Sequence, residues 1–277
     1  MARLRSKHFL LAVSSVGLVV LLSAPSLVAQ DTQPASQDVQ ATAAPAAQLP
    51  TFPDPRASAA DLEQQGDQLR AAKRYLDSID FYHLALKKQP SATLWNKEGM
   101  SYLLLQKPDK AAKAFDHAIK IDKNAPEGYN NRGYVEQMRK KYDKAIKYYE
   151  QAIELRPTDA VFYFNMGTSY FGKRNFPQAA KEYQTAFSLD PSIFIRVSRI
   201  GIMAQSTSPE DRAAFSFMVA RMYAKAGDVD HSLEYLRKAM EDGYKDINKV
   251  YTESEFASLR TDKRFEELMA QKPQAIQ

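Results

Sequence analysis

Glycine returns at a nearly fixed interval along this chain, and that interval restricts the fold more than any other feature. Gly66, Gly99, Gly133, Gly167 and Gly201 are separated by 33, 34, 34 and 34 residues. Other positions keep the same register. Four residues before each glycine stand Leu62, Trp95, Tyr129, Tyr163 and Val197. Three after the first four stand Leu69, Tyr102, Glu136 and Tyr170. Twelve after come Ser78, Ala111, Ala145, Ala179 and Ala213; sixteen after, Tyr82, Phe115, Tyr149, Tyr183 and Phe217; nineteen after, Ala85, Ala118, Ala152, Ala186 and Ala220. Large-glycine-large at i, i+4, i+7 is one stripe of a helix, and small-aromatic-small at the same spacing is the stripe of a second. Between the stripes lie turn segments such as Gln106–Asp109, Arg139–Lys141 and Gly172–Asn175, and Pro90, Pro157 and Pro191 stop the second helix. Each unit is a helical hairpin that cannot cover its own apolar faces, so consecutive hairpins must stack.

The segments Leu94–Asp122, Gly128–Pro157 and Phe162–Pro191 carry the pattern large-x2-L-G-x2-Y…A-x3-F-x2-A…P and resemble the tetratricopeptide repeat family. The resemblance is strong over 59–193 and weaker over 194–245. It implies an all-α fold: a right-handed α-solenoid of about five to six stacked antiparallel helix hairpins, closed by a C-terminal helical cap. The expected organisation is a signal peptide over 1–29, a Pro/Ala/Gln-rich linker over 30–57, the solenoid over 58–245 and capping helices with a tail over 246–277. Glu98 and Arg132 depart from the apolar residue that precedes the glycine elsewhere. They either pair with each other across adjacent repeats or both point to solvent.

The fifth unit is irregular. Residues 193–205 are rich in β-branched side chains and admit either a strand or, by register, a helix. Ser208-Pro209-Glu210-Asp211 is a helix start, with a hydroxyl cap and proline in the first turn. The helix that follows has two readings, second helix of unit five through Ala213, Phe217 and Ala220 and first helix of a further hairpin through Val219, Ala220, Tyr223 and Gly227, and both can hold because a solenoid helix touches neighbours on both sides. After Gly243 the period ends, and Ile247, Val250, Tyr251, Phe256, Leu259, Phe265 and Leu268 are expected to cover the open end of the stack.

Arg3, Arg5 and Lys7 precede an uncharged apolar run from Phe9 to Leu22. The run is short for a membrane span and fits a secretory leader, with cleavage after Ala29; an uncleaved anchor is the other reading. The chain is therefore expected to be periplasmic or secreted, touching a membrane only through an uncleaved leader if at all. Between residues 30 and 57 five prolines stand among Ala and Gln, too polar to offset the entropy of ordering.

Composition removes whole classes of chemistry. The 277 residues contain no cysteine, which excludes disulfides, thiolate metal sites and Cys nucleophiles. Lys and Arg number 38 against 33 Asp and Glu, and three of those cations lie in the leader, so the remainder is nearly balanced and no nucleic-acid partner is expected. Gly167–Arg174 almost matches a phosphate loop, but Arg174 replaces the final Ser/Thr and the segment falls in a repeat helix, whose N–H groups are already bonded; no nucleotide is expected. His83, His117 and His231 have no partner at metal-ligand spacing, and no catalytic triad or nucleophile elbow is present. No enzyme activity, cofactor or metal is expected. Arg139, Lys140, Lys141, Lys144 and Lys147 cluster at one turn, where a helix C-terminus accounts for part of the charge and an anionic partner is the alternative.

The family resemblance implies that the first helices line a concave face and that residues at fixed offsets from the glycine point into it. Those are Thr93, Asn96, Lys97, Met100 and Leu103, then Glu127, Asn130, Asn131, Tyr134 and Gln137, then Val161, Phe164, Asn165, Thr168 and Phe171. Asn131 and Asn165 are one repeat apart, with Lys97 on the preceding rung. Amides both donate and accept, which suits an extended peptide backbone; Met100, Tyr134, Phe164 and Phe171 add apolar anchors. The family's carboxylate-clamping version is rejected, because Val161 replaces its Lys and Asn165 its Arg. The expected function is a non-enzymatic scaffold of the bacterial cell envelope, binding a peptide segment or partner protein. The alternative is a glycan-binding or enzyme-accessory module using the aromatic groove.

Overall fold

A computed structural model describes residues 50, 52–199 and 208–271. The expected leader, all but the end of the linker and Gly201 lie outside the described residues. The chain divides after Phe194 into two compact units, and each is taken by itself. The described residues contain helices and no strands.

The first unit holds eight helices in four hairpins: α1 (Ala59–Ala71) with α2 (Tyr75–Lys88), α3 (Ala92–Leu104) with α4 (Pro108–Ile121), α5 (Pro126–Met138) with α6 (Tyr142–Leu155), and α7 (Ala160–Gly172) with α8 (Phe176–Leu189). Helix starts follow local chemistry. Ser58, Ser91, Asp159 and Asn175 accept from backbone N–H groups of the first turn, and Pro108 and Pro126 open their helices. Four of the five periodic glycines are described, and they occupy equivalent places. A Cβ built on Gly66, Gly99, Gly133 or Gly167 would stand 2.6, 2.5, 2.8 or 2.9 Å from the ring of Tyr82, Phe115, Tyr149 or Tyr183. Each ring is fully buried, as are the small residues four before it and three after it. The interval of 34 is thus the distance along the chain from one ring-on-glycine contact to the next.

The other large residues of the first-helix stripe do a different job. Trp95, Tyr129, Tyr163, Tyr102 and Tyr170 are only partly buried. Trp95 packs on the apolar cluster of α1 and α2, and Tyr163 and Tyr170 on that of α6. They join hairpins rather than hold one hairpin closed. Glu98 and Arg132 do neither of the two things the sequence allowed. Each reaches back to the second helix of the preceding hairpin: Glu98 to His83 at 3.5 Å, and Arg132 to Asp116 at 2.8 Å. His83 and Asp116 both stand 17 residues after their glycine, so the two contacts use one interface position.

Every turn inside a hairpin of this unit has the same backbone device. Lys73, Gln106, Lys140 and Arg174, each seven after its glycine, have φ of 61°, 56°, 57° and 59°. The N–H of that residue bonds three back and the next N–H bonds five back, as in Lys73 to Arg70 and Arg74 to Leu69, which satisfies carbonyls the first helix leaves open. No glycine occupies any of these left-handed positions, so each carries a steric cost.

The helix α9 (Ile193–Arg199) begins in the first unit and ends in the second, so the helical alternative holds over 193–199; residues 200–207 are outside the described set. In the second unit α10 (Pro209–Ala226) is capped by Ser208, whose hydroxyl accepts from the Asp211 N–H, and pairs with α11 (Val229–Glu241). The reading of this helix as the first of a further hairpin holds, and Ala213, Phe217 and Ala220 are buried as well. Gly227, with φ of 80°, makes the turn, and Gly227 and Asp228 repeat the two hydrogen bonds seen in the other turns. Counting back seven places Ala220 where the other hairpins have glycine, and the Ser232 hydroxyl donates to the Ala220 carbonyl at 2.9 Å. Beyond α11, three 3-10 turns (Ile247–Tyr251, Ser254–Phe256 and Leu259–Thr261) and α12 (Lys263–Gln271) follow. They bury Val250, Phe256, Leu259, Phe265 and Leu268. The Arg260 guanidinium ties them together by donating to the carbonyls of Val250 and Glu253, both at 2.9 Å.

Two substitutions in the second hairpin are expected to move stability in opposite directions. Gly99→Val drives a branched side chain into the Phe115 ring and lowers unfolding free energy by about 2–3 kcal/mol. Gln106→Gly relieves the left-handed strain and raises it by roughly 0.5–1 kcal/mol. Urea unfolding of both variants checks the pair.

Candidate functional site

The first helices of the four hairpins carry the expected site residues, and hydrogen bonds 30 to 35 residues long in sequence organise them. Lys97 on α3 is not a free cation. Its Nζ donates to Glu63 Oε1 and Asp67 Oδ2 on α1, both at 2.5 Å. Asp67 also accepts from the Tyr82 hydroxyl at 2.7 Å. The buried tyrosine rings of the third and fourth hairpins find acceptors in the same way: Tyr149 donates to Gln137 Oε1 at 3.0 Å, and Tyr183 to Thr168 Oγ1 at 3.1 Å. Thr168 in turn donates to the Phe164 carbonyl, and Gln137 Oε1 also accepts from Ser169. Burial raises the hydroxyl pKa of Tyr134, Tyr149 and Tyr183 above the ordinary tyrosine range.

Three asparagines form a chain across α5 and α7. Asn165 Nδ2 donates to Asn130 Oδ1 at 2.8 Å, and Asn130 Nδ2 donates to Asn131 Oδ1 at 3.2 Å. All three are buried. Asn165 and Asn130 are 35 residues apart, and the same offset relates Asn131 to Asn96 one repeat earlier. That equivalent bond is not made: Asn96 Oδ1 is buried with no hydrogen-bond partner. Of the apolar residues, Met100, Tyr134, Val161, Phe164 and Phe171 are all buried. Phe164 lies in an aromatic group, 5.3 Å from Tyr183 and 5.9 Å from Phe194, and Phe171 meets Phe176 edge-on at 5.1 Å. Glu127 pairs with Arg156 at 2.7 Å.

The remaining candidates are accounted for by ordinary contacts. Gly167–Gly172 is helical, so its backbone donors are engaged. His117 stacks on Trp95 with centroids 4.4 Å apart, His231 meets Asp228 at 2.7 Å, and His83 faces Glu98. Among the described residues no group of three His, Asp or Glu is placed to hold a metal ion. Buried carboxylates are treated unequally. Burial pushes Glu98 up, and the facing His83 only partly offsets it. Glu136 is also buried, but Arg132 at 2.5 Å and Arg139 at 2.9 Å hold it below the usual carboxylate range. Glu182 is raised by burial and by the neighbouring Glu150, with only Lys181 in opposition. The pairings of Lys97 with α1 and of Gln137 with Tyr149 are not legible in the sequence alone; the signal is present as carboxylates and a tyrosine at the interface register.

Known proteins share this repeat. Sequence models of the tetratricopeptide repeat match residues 92–125, 126–159 and 164–244, together more than half of the chain. The chain belongs to the tetratricopeptide repeat family. It is 29% identical over 70 residues to a chloroplastic protein of Arabidopsis thaliana; the match takes in 25% of this chain and 21% of that one, about a fifth of the relative's length. Among solved structures it is similar to MamA 41-end from Desulfovibrio magneticus RS-1, with 18% identity over 66% of this chain and 93% of that one, at a TM-score of 0.47. It is also similar to YrrB, described as a TPR protein with an unusual peptide-binding site, with 17% identity over 70% and 91% of the two chains, at a TM-score of 0.45.

The buried carboxylate of Glu182 generates a pH-dependent prediction. Its pKa is higher folded than unfolded, so the stability it contributes is present below the unfolded value near 4 and is lost as pH rises through the folded value. Glu182→Gln is therefore expected to raise the melting temperature at pH 7 and to leave it unchanged at pH 3.5. Calorimetry at the two pH values reads the difference.

Proposed function

We propose that this protein is a non-enzymatic scaffold that holds an extended segment of a partner protein along the first helices of its repeats. The observation that carries the reading is the interrupted amide chain. Asn165, Asn130 and Asn131 hold one another in fixed orientations, and Asn96 Oδ1 is a buried acceptor without a donor. A buried acceptor left unpaired costs about 1–3 kcal/mol, and such a group in a native fold calls for a reason. A backbone N–H of a bound peptide would supply the missing donor, and the fixed amides would set the strand's register. Met100, Tyr134 and Phe171 on the same first helices are buried apolar side chains, and a hydrogen bond made in an apolar setting is strengthened. Ordering few side chains on binding keeps the entropic cost low.

The cell-envelope setting belongs to the same proposal and rests on the sequence: the basic start, the apolar run 9–22 and the small residues ending at Ala29. N-terminal sequencing of the protein recovered from fractionated bacterial cells tests it, Gln30 as the first residue being the expected result.

For the site itself, Asn96→Leu separates binding from folding. The free protein should become more stable by about 1 kcal/mol, because the unpaired acceptor is gone. Affinity for peptides selected from a displayed library of unstructured dodecamers should fall at least tenfold, read by fluorescence anisotropy. Unchanged affinity would remove Asn96 and its amide neighbours from the binding surface.

A further inference from the structure

Charge that is balanced along the sequence becomes concentrated once the hairpins stack. The four turns inside the hairpins of the first unit, residues 72–77, 105–110, 139–144 and 173–178, contain ten Lys or Arg and three Asp, a net charge of +7. The connections at the other end of the same helices, residues 88–93, 121–126, 155–160 and 189–194, contain three of each sign and sum to zero. Neighbouring turns touch, because Arg139 pairs with Asp109 of the preceding turn and Lys173 with Asp143 of its own preceding turn. Those pairs and Arg74–Asp77 at 2.7 Å engage all three carboxylates of this edge. Lys73, Lys107, Lys140, Lys141 and Lys144 remain exposed and, among the described residues, without an ion-pair partner.

From this arrangement we propose that the turn edge of the first unit docks on the surface of an anionic lipid bilayer. Three observations favour a bilayer over a folded acidic partner. The free cations are all lysines, flexible point charges suited to a diffuse anionic surface, whereas fixed carboxylate or phosphate recognition favours the planar fork of arginine. Exposed apolar side chains share the edge: Leu76 is 60% exposed and Met138 39%, which allows shallow insertion with lysine stems alongside. Pro50 and Phe52 add to the same edge: the Pro50 carbonyl accepts from the Arg74 guanidinium at 3.4 Å, and Phe52 is 81% exposed. The opposite edge has exposed Ile121, Leu155 and Leu189 but no net charge, so it serves as an internal control for apolar contact without electrostatics.

The test is co-sedimentation of the chain from Gln30 onward, the form expected after leader cleavage, with vesicles of phosphatidylcholine containing about 30% phosphatidylglycerol, at about 0.1 M salt. Each lysine near such a surface is worth about fivefold in binding. The triple variant Lys140→Glu, Lys141→Glu, Lys144→Glu should therefore bind about a hundredfold more weakly or worse. The control Lys88→Glu, Lys120→Glu, Lys123→Glu, identical in charge change but on the other edge, should lose less than about fivefold. Circular dichroism melts confirm that both variants fold, and glutamine replacements at the same positions provide a milder second set. Raising salt to about 0.5 M should abolish the difference between the variants. Equal losses in the two variants overturn the proposal. So does tighter binding to single-stranded DNA or polyglutamate than to the vesicles at the same salt.

Discussion

A ring packed against a backbone with no Cβ is the contact on which the rest of this protein depends. At Gly66, Gly99, Gly133 and Gly167 the second helix of a hairpin presents a fully buried aromatic ring to the first. Any added carbon there falls inside van der Waals contact, so the two helices approach as closely as backbone allows. That closeness fixes the hairpin geometry, and repeating it fixes where the next hairpin lands. The α10–α11 pair reaches a similar arrangement with Ala220 in place of glycine and Leu236 in place of the ring, a smaller side chain that leaves room for a methyl. The same hairpin moves its glycine to the turn, where Gly227 takes the left-handed conformation that Lys73, Gln106, Lys140 and Arg174 adopt under strain.

Polar side chains are organised by the stack rather than by their own helices. The tyrosine rings that fill the hairpins carry hydroxyls, and each hydroxyl requires a partner once buried. Asp67, Gln137 and Thr168 supply them from the first helices. This uses up acceptors that would otherwise face a ligand and ties Lys97 into an ion-pair network with Asp67 and Glu63. Apart from these, the first helices hold the buried amide chain of Asn130, Asn131 and Asn165 and the buried, unpaired oxygen of Asn96, on which the proposed recognition rests. The functional reading therefore rests on a small remainder, left over after the fold has met its own requirements.

Electrostatics follows the same logic. Between hairpins, Glu98 and Arg132 occupy one interface position, each facing the residue 17 after the preceding glycine, His83 or Asp116. Arg139–Asp109 and Lys173–Asp143 likewise link turns through a shared pair of register positions. Charges at the interfaces are consumed in pairs, and the unmatched lysines accumulate at the turn edge. A solenoid sorts charge in this way because each register position is repeated along one line of the surface.

The hairpin period, the Ser208 cap, the turn positions and the small-aromatic-small core were all legible in the sequence, because they depend on residues close together in one chain segment. The roles of Gly227 and Ser232 in the α10–α11 hairpin appear only when the two helices are paired. The partly buried state of Trp95 and Tyr163 was not legible, since a helical stripe shows that a residue is covered but not by which neighbour. Nor were the engaged state of Lys97, the link from Asn165 to Asn130 or the net charge of +7 on the turn edge, for all of them join residues 30 or more positions apart. By itself the sequence determined the repeating unit, through steric and hydrophobic patterns that act over a single turn of helix. Only the tertiary structure decided which polar and charged groups are satisfied and which remain available, because that depends on what the next repeat brings within reach.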